Sequence, residues 1–507
     1  MLGRDRTLPT PFILTVIGLG AFITALDQTV VVTALPSVML DLKVPIAELD
    51  RVSWVITAYL LGYTVAMPLI GRLGDVYGYP RVYQVSLVVF CIGTGLVAVS
   101  SSLGWMVGAR VIQAVGGGAT VPIGMALATT LVPKGQRGLA LGIVGASAEA
   151  GSMLGPVYGG AIVELLSWRW IFWLNIPQSA VIFVALFWLP NRRELGTKVD
   201  YMGGVILVGA LLVLSLALSR TELFTFDSPY PFLLAAGGVG LVVLLVLVEA
   251  RTFQPLLAPA LFRSWAFLTA NLTQVLVGVA LIIAMVTVPL MANTVMGKSP
   301  FTGALWLLRL TGIIPLGAVA GGLLVSRLGS SPLTVAGLAL VAIGMFLASG
   351  WELDVSDPEL TIHLLVVGFG FGLVIAPITV QALGAAGDDY QGTAASLVVV
   401  SRMMGMTLGL AALSAWGVQH FQGLTTGLEF PLPLLGEATA IYEARAAEYS
   451  ANINTAGLEL FQRFFLVASL ISLVAVLPAL GMKHNFRTRT KRPISGSFKF
   501  DDLTDVR

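Results

Sequence analysis

Five ionisable side chains stand inside long apolar runs of this sequence, where a charge must either do chemistry or meet a partner. Asp27 lies a little beyond the middle of the first run, Glu149 near the middle of the fifth, and Arg110 in the fourth. Arg309 falls in a later run at about 301–326, and Arg402 in one at about 392–418. A charge at bilayer depth costs at least about 2.5–3.5 kcal/mol on insertion scales, so one that is kept faces a cavity or an opposite charge. A buried carboxyl is driven toward neutrality by desolvation and toward ionisation by a nearby guanidinium. A conformational change that alternates these surroundings would let such a carboxyl load and release a proton. Two acids against three bases allow two ion pairs and leave one cation over. Gln28, Gln113, Asn271 and Gln274 could add polar contacts in the same region, although such residues more often form helix-to-helix hydrogen bonds.

Elements that cross a bilayer must position these side chains. Of 507 residues, 56% are hydrophobic and only 11% charged, and mean hydropathy is +0.89, against roughly 25% charged in a soluble domain. So few charges cannot cover a water-exposed surface. They sit in short clusters between apolar runs of about 20 residues, the length of a spanning helix. Six runs fall at roughly 12–40, 52–71, 82–101, 104–131, 138–165 and 171–190, and two at 201–219 and 232–249. Six more fall at about 267–292, 301–326, 332–350, 361–383, 392–418 and 456–481. The expected fold is an all-α polytopic membrane protein with fourteen spans grouped six, two, six. This divides the chain into an N-terminal six-helix half (1–190), a linker with two extra helices (191–263), and a C-terminal six-helix half (264–482) with a long outside segment (419–455), followed by a tail (483–507). The first run has no small-residue cleavage pattern, so it reads as a retained span.

Lys and Arg are retained in cytoplasmic loops, and here they segregate. One side holds Arg4, Arg6, Arg72, Arg81, Lys134, Arg137, Arg192, Arg193, Lys198, Arg251, Arg263, Arg327 and the tail from Lys483 to Arg492. The other holds only Lys43, Arg51, Arg169, Arg220, Lys298, Arg445 and Arg463. Both termini are therefore expected in the cytoplasm. The long outside segment contains GEATAIYEARAAEYS, whose Ala and Glu content predicts a helix extending the last spans outward.

Several function classes lack their residues. The nearest approach to a phosphate-cradling loop, Ala292–Ser299, lacks the first glycine. His363, His420 and His484 are scattered and no HExxH or GxSxG stretch accompanies them, so an enzyme is not expected. The single Cys91 gives neither a disulfide framework nor a cysteine metal site, and no cofactor is implied. A formal net charge of +2, its positive part held at span ends, argues against nucleic acid.

The turn GRLGDVYGYPR joins runs two and three and carries Gly71, Asp75, Gly78 and Arg81, an acid and a base beside two helix ends. Run four contains the RVIQ stretch Arg110–Gln113, and run five spaces Gly142, Gly151, Gly155, Pro156, Gly159 and Gly160 as G-x8-G-x3-GP-x2-GG. Glycines every four residues let helices approach closely, and Pro156 removes a backbone donor where the run can bend. Together these motifs resemble the major facilitator superfamily. With Leu26-Asp27-Gln28-Thr29, the run-five motif resembles its fourteen-span drug/proton antiporter branch. Trp54–Arg72, Glu149–Gly159 and Val398–Gly417 are further similar to mycobacterial triacylglyceride and multidrug exporters that work with a periplasmic lipoprotein. Val76, Tyr79 and Pro80 stand where that family usually has basic residues, and Ala114 where it usually has glycine. The outside loop near Trp351–Glu359 is shorter than in those exporters.

The resemblance implies two six-helix halves rocking about a central cavity. It implies that Asp27 pairs with Arg110 and carries the coupling proton, the alternative being that Asp27 only braces Arg110. It implies an ion-pair gate between Glu149 and a base of the second half, Arg402 or its rival Arg309. Gly71, Asp75, Gly78 and Arg81, with Gly151, Gly155, Pro156 and Gly159, become conformational motifs, Asp75 and Arg81 locking one state through neighbouring helix ends. The implied function is proton-coupled export of hydrophobic compounds, leaning to triacylglyceride-like lipid. Alternatives are a multidrug/proton antiporter and, in a different class, a non-transporting membrane sensor. The expected partners are a lipid or hydrophobic small molecule, protons, the bilayer and a periplasmic lipoprotein, around a monomer in the bacterial inner membrane.

Overall fold

A backbone inside hydrocarbon must satisfy its own hydrogen bonds, and among the described residues this chain does so entirely with helices. The computed structural model describes residues 9–44, 49–191, 200–218, 220, 228–249, 252, 259–432 and 439–482. Among the described residues, fourteen helices are long and apolar enough to cross a membrane. They are α1 (Thr10–Asp41), α2 (Trp54–Tyr77), α3 (Tyr79–Ala98), α4 (Leu103–Leu131), α5 (Lys134–Leu165), α6 (Trp168–Trp188) and α7 (Tyr201–Leu218). The rest are α8 (Tyr230–Glu249), α9 (Trp265–Thr294), α10 (Pro300–Leu328), α11 (Ser330–Ala348), α12 (Asp357–Ala386), α13 (Asp388–Leu424) and α14 (Thr439–Gly481). The chain is thus a multi-pass membrane protein.

Local sequence starts and bends these helices. Ser102, Ser264 and Ser299 accept from the backbone N–H three residues on, capping α4, α9 and α10. A turn at Gly118 and Ala119 divides α4 into Leu103–Gly117 and Thr120–Leu131, a break that its unbroken apolar run does not announce. Helix α14 begins at Thr439, well before its apolar run, so the Ala- and Glu-rich stretch is helical from there. The tail after Met482, and Arg4, Arg6, Arg192, Arg193, Lys198 and Arg251 from the charge count, lie outside the described residues.

Packing repeats at an interval of eight helices. α1 packs on α5 as α9 packs on α13; α2 on α4 as α10 on α12; α3 on α6 as α11 on α14. The tight turns repeat as well. Gly78 between α2 and α3 has φ 91° and Gly329 between α10 and α11 has φ 84°, backbone that other residues adopt only with strain. Helices α7 and α8 pack on each other, and α7 also touches α2 and α13.

Helices of the two repeats meet along α5 with α10 and α2 with α13. Both contacts are glycine seams. A Cβ on Gly142 would lie 2.5 Å from the Ala318 carbonyl, and one on Gly392 would lie 2.4 Å from that of Gly71. Gly71, Gly142 and Gly322 lie toward helix ends beside Arg72, Arg81, Lys134, Arg137 and Arg327, and Gly392 meets Gly71, so the two repeats are in contact at that end.

Candidate functional site

The first polar centre is assembled by five helices, α1, α2, α3, α4 and α6, around Asp27. The run-five glycines draw α1 against α5: a Cβ on Gly151 would lie 2.2 Å from the Phe22 carbonyl, and one on Gly159 2.7 Å from that of Val30. Gly155 faces Leu26 and Thr29 in the same seam, which Pro156 does not interrupt. This holds α1 so that Asp27 points away from the seam's glycines toward α4 and α6. Arg110 Nη1 donates to Asp27 Oδ2 at 3.1 Å and to Gln113 Oε1 at 2.7 Å. Gln113 Nε2 donates to Asp27 Oδ1 at 3.0 Å and to Thr94 Oγ1 at 2.9 Å. Asn175 Nδ2 of α6 donates to Asp27 Oδ1 at 2.7 Å. The Arg110 guanidinium also lies 3.9 Å from the Tyr59 ring centroid. Asp27, Arg110, Gln113 and Asn175 are all fully buried.

This carboxyl therefore receives one cationic and two neutral donors, the cationic one the strongest. Among the described residues, two polar atoms of the same cluster lack partners: Arg110 Nη2 and Asn175 Oδ1. The cluster has hydrogen-bonding capacity to spare, so its partners can change.

The second centre crosses between the repeats. Arg402 Nη1 of α13 donates to Glu149 Oε1 of α5 at 2.5 Å, with side chains 18% and 15% exposed. They share a recess with Gln274, Val277 and Leu281 of α9, Ile314 of α10 and Phe371 and Ile375 of α12. Gln274 Oε1 has no partner there. Asn271 accepts from Ser401, and its amide returns to the Phe267 carbonyl of its own helix. Gln28 receives no assigned contact in this cluster.

Arg309, the rival partner for Glu149, is engaged elsewhere. It donates to Asp357 at 2.7 Å and to Thr361 at 2.6 Å. Arg309 lies nine residues from the start of α10 and Glu149 sixteen from the end of α5, which at 1.5 Å per residue sets them about 10 Å apart in depth. The leftover cation thus has an acid, one placed at a helix start rather than inside an apolar run.

The third centre is the turn after α2. Asp75 accepts from the backbone N–H of Gly392 at 2.7 Å and of Thr393 at 3.1 Å, from the Thr393 hydroxyl at 2.7 Å, and from Tyr79 at 2.7 Å. An acid thus seats on the N-terminus of the opposing α13, where the helix dipole favours negative charge. Gly71 permits the approach and Gly78 the turn. The basic contact across this seam comes from buried Arg72, 4.5 Å from the Tyr390 ring centroid. Arg81 is not brought to Asp75: it is exposed, and among the described residues its side chain makes no ion pair or hydrogen bond.

Asn175 is the functional candidate that sequence reasoning does not single out. Its only signal is a neutral amide in a largely apolar span that also carries Gln178 and Ser179.

Compared with known families, residues 17–410 match the Major Facilitator Superfamily. A probable triacylglyceride transporter of Mycobacterium leprae is 34% identical over 486 residues, covering 91% of this chain and 94% of that protein. A triacylglyceride transporter of Mycolicibacterium smegmatis is 35% identical, covering 91% and 85%, and one of Mycobacterium tuberculosis 36%, covering 83% and 86%. Among solved structures, the fucose:proton symporter of E. coli superposes with a TM-score of 0.58 at 13% identity, over 94% of this chain and all of that one. The human organic anion transporter MFSD10 gives 0.55 at 16%, over 92% and 99%.

Proposed function

This chain belongs to the Major Facilitator Superfamily, and from that premise we propose that it is a proton-coupled exporter of triacylglyceride-like lipids. Likeness to triacylglyceride transporters over nine-tenths of the chain supports the cargo. The observation that carries the coupling is Asp27, a fully buried carboxyl held by exchangeable amide donors as well as Arg110. Rearrangement of Gln113 or Asn175 removes a donor and leaves desolvation to favour the protonated acid. Restoring the donors releases the proton. The two six-helix halves, 1–190 and 264–482, rock about their seams, with α7 and α8 as a peripheral linker. Glu149 and Arg402 close one access path when in contact and open it when apart, while Asp75 on α13 holds the opposite end shut. Both termini face the cytoplasm of a bacterium, and the protein sits as a monomer in the inner membrane. A periplasmic lipoprotein receives the cargo.

The test is lipidomics of membranes with and without the expressed protein, followed by transport of any depleted lipid in proteoliposomes under a proton gradient. Asp27→Asn keeps shape and removes titration, so it is expected to abolish uphill export at wild-type expression. Full coupling in that variant removes Asp27 from the mechanism. Movement of lipophilic drugs without movement of lipid would reassign the cargo.

A further inference from the structure

Next to the third centre, α2, α3 and α4 border a cleft of about 320 Å³. Its walls are almost wholly apolar, with Ile70 and Tyr77 from α2, Val85 and Val89 from α3, Val115 from α4, and Arg81 at one end. Arg81 stands at the start of α3 and Val89 eight residues on, so the cleft runs about 12 Å along the helix into the apolar layer. Val85 is 63% exposed and Tyr77 42%, and apolar surface left open on a spanning helix meets lipid tails. The cleft shares no residue with the recess around Glu149 and Arg402, and α3 packs on α4 and α6, outside the seams between the repeats.

A lipid tail alone does not account for Arg81. A guanidinium that is exposed and makes no ion pair or hydrogen bond among the described residues sits at the end of an apolar slot, at the level where a spanning helix ends. Headgroup phosphates occupy that level, and basic groups there recruit anionic lipids. We propose that this cleft binds one anionic glycerophospholipid, an acyl chain lying along Val85 and Val89 and the phosphate on Arg81. The lipid is a resident regulator and not the cargo. Arg81 follows the Gly78–Pro80 turn, in which Tyr79 donates to Asp75 at 2.7 Å. A lipid that fixes Arg81 steadies the turn presenting Asp75 to α13, and so favours the state closed at that end.

Native mass spectrometry of the purified full chain tests this with dioleoyl phosphatidylglycerol and dioleoyl phosphatidylethanolamine as probes. Wild type is expected to retain one phosphatidylglycerol in preference to phosphatidylethanolamine. Arg81→Gln should need about tenfold more of it, the equivalent of one lost charge-assisted contact. Val85→Trp, which fills the slot and leaves Arg81 in place, should lose the bound lipid. Equal retention of the two lipids by wild type overturns the site, as does undiminished retention by Val85→Trp; the retained lipid would then be unselective annular lipid. These two readings stand even if Arg81→Gln fails to fold. Spin-label distances between the ends of α2 and α13 should shorten in phosphatidylglycerol vesicles, and an unchanged distance with lipid bound overturns the link to the turn.

Discussion

Two acid–arginine pairs lie at bilayer depth in this protein, and they are built differently. Asp27 and Arg110 belong to one repeat, are fully buried, and are embedded with Gln113, Asn175, Thr94 and Tyr59. Glu149 and Arg402 come from opposite repeats, remain partly exposed, and are joined by a single hydrogen-bonded contact, Arg402 Nη1 to Glu149 Oε1. A pair that must survive every conformation benefits from many partners, because each satisfies a lone pair that burial would otherwise leave costly. A pair that must part benefits from few partners and from water at its edge, since separation then leaves neither charge stranded. The number of supporting contacts thus separates a charge contact around which amide donors can exchange from one that, in the proposed cycle, parts outright.

The largest effect should come from Arg110→Ala, which strands Asp27 in the interior. Loss of one member of a buried pair costs about 3–5 kcal/mol, readable as loss of thermal stability in detergent. A cost below about 1 kcal/mol would erase the contrast between the two pairs. Asn175→Ala is expected to cost about 1–3 kcal/mol and to alter the pH dependence of export, because it takes one neutral donor from the carboxylate. A stability loss with the pH profile unchanged would make Asn175 a packing residue only. Gly142→Ala places a methyl 2.5 Å from the Ala318 carbonyl. Such overpacking costs about 1–3 kcal/mol in the state seen here, and only there if the seam opens during transport. Distance measurements between α5 and α10 should shift toward separation; an unshifted distribution would mean that the seam never opens. The smallest stability effect is expected from Arg402→Gln, about 1 kcal/mol or less given partial solvation, with export nonetheless strongly impaired. Partial recovery by Glu149→Arg with Arg402→Glu would sharpen the gate reading, and contact between the pair in both end states would break it.

Spans are legible in this sequence because hydrocarbon thickness imposes a run of about 20 apolar residues on each. Helix ends are less so: α14 starts at Thr439 because Ala and Glu favour helix without being hydrophobic, so a hydropathy window passes over them. The turn within α4 is hidden for the converse reason, as Gly118 and Ala119 keep the run apolar while breaking the helix. Asp27, Arg110, Glu149 and Arg402 are visible by their cost at depth. Asn175 is not, since one neutral amide is cheap enough to be unremarkable and only the packing of α6 beside α1 gives it a partner. Asp357 escapes because it begins a helix, where an acid is ordinary, and Arg309 has the reach to find it.

Helix α7 rests on both α2 and α13, with Tyr201 3.2 Å from Tyr77 on one side and Ser215 bonding the Met404 sulfur on the other. It is a strap laid over the seam that Asp75 closes. On the proposed rocking motion, opening this seam peels α7 from one bank, and lipid tails take its place. Tails are as apolar as the leucines they replace, so the exchange has little driving force in either direction. The strap therefore limits how far the two sides can travel without deciding which way they go: it is a tether, not a spring, and swapping its apolar side chains should change stroke length before it changes equilibrium.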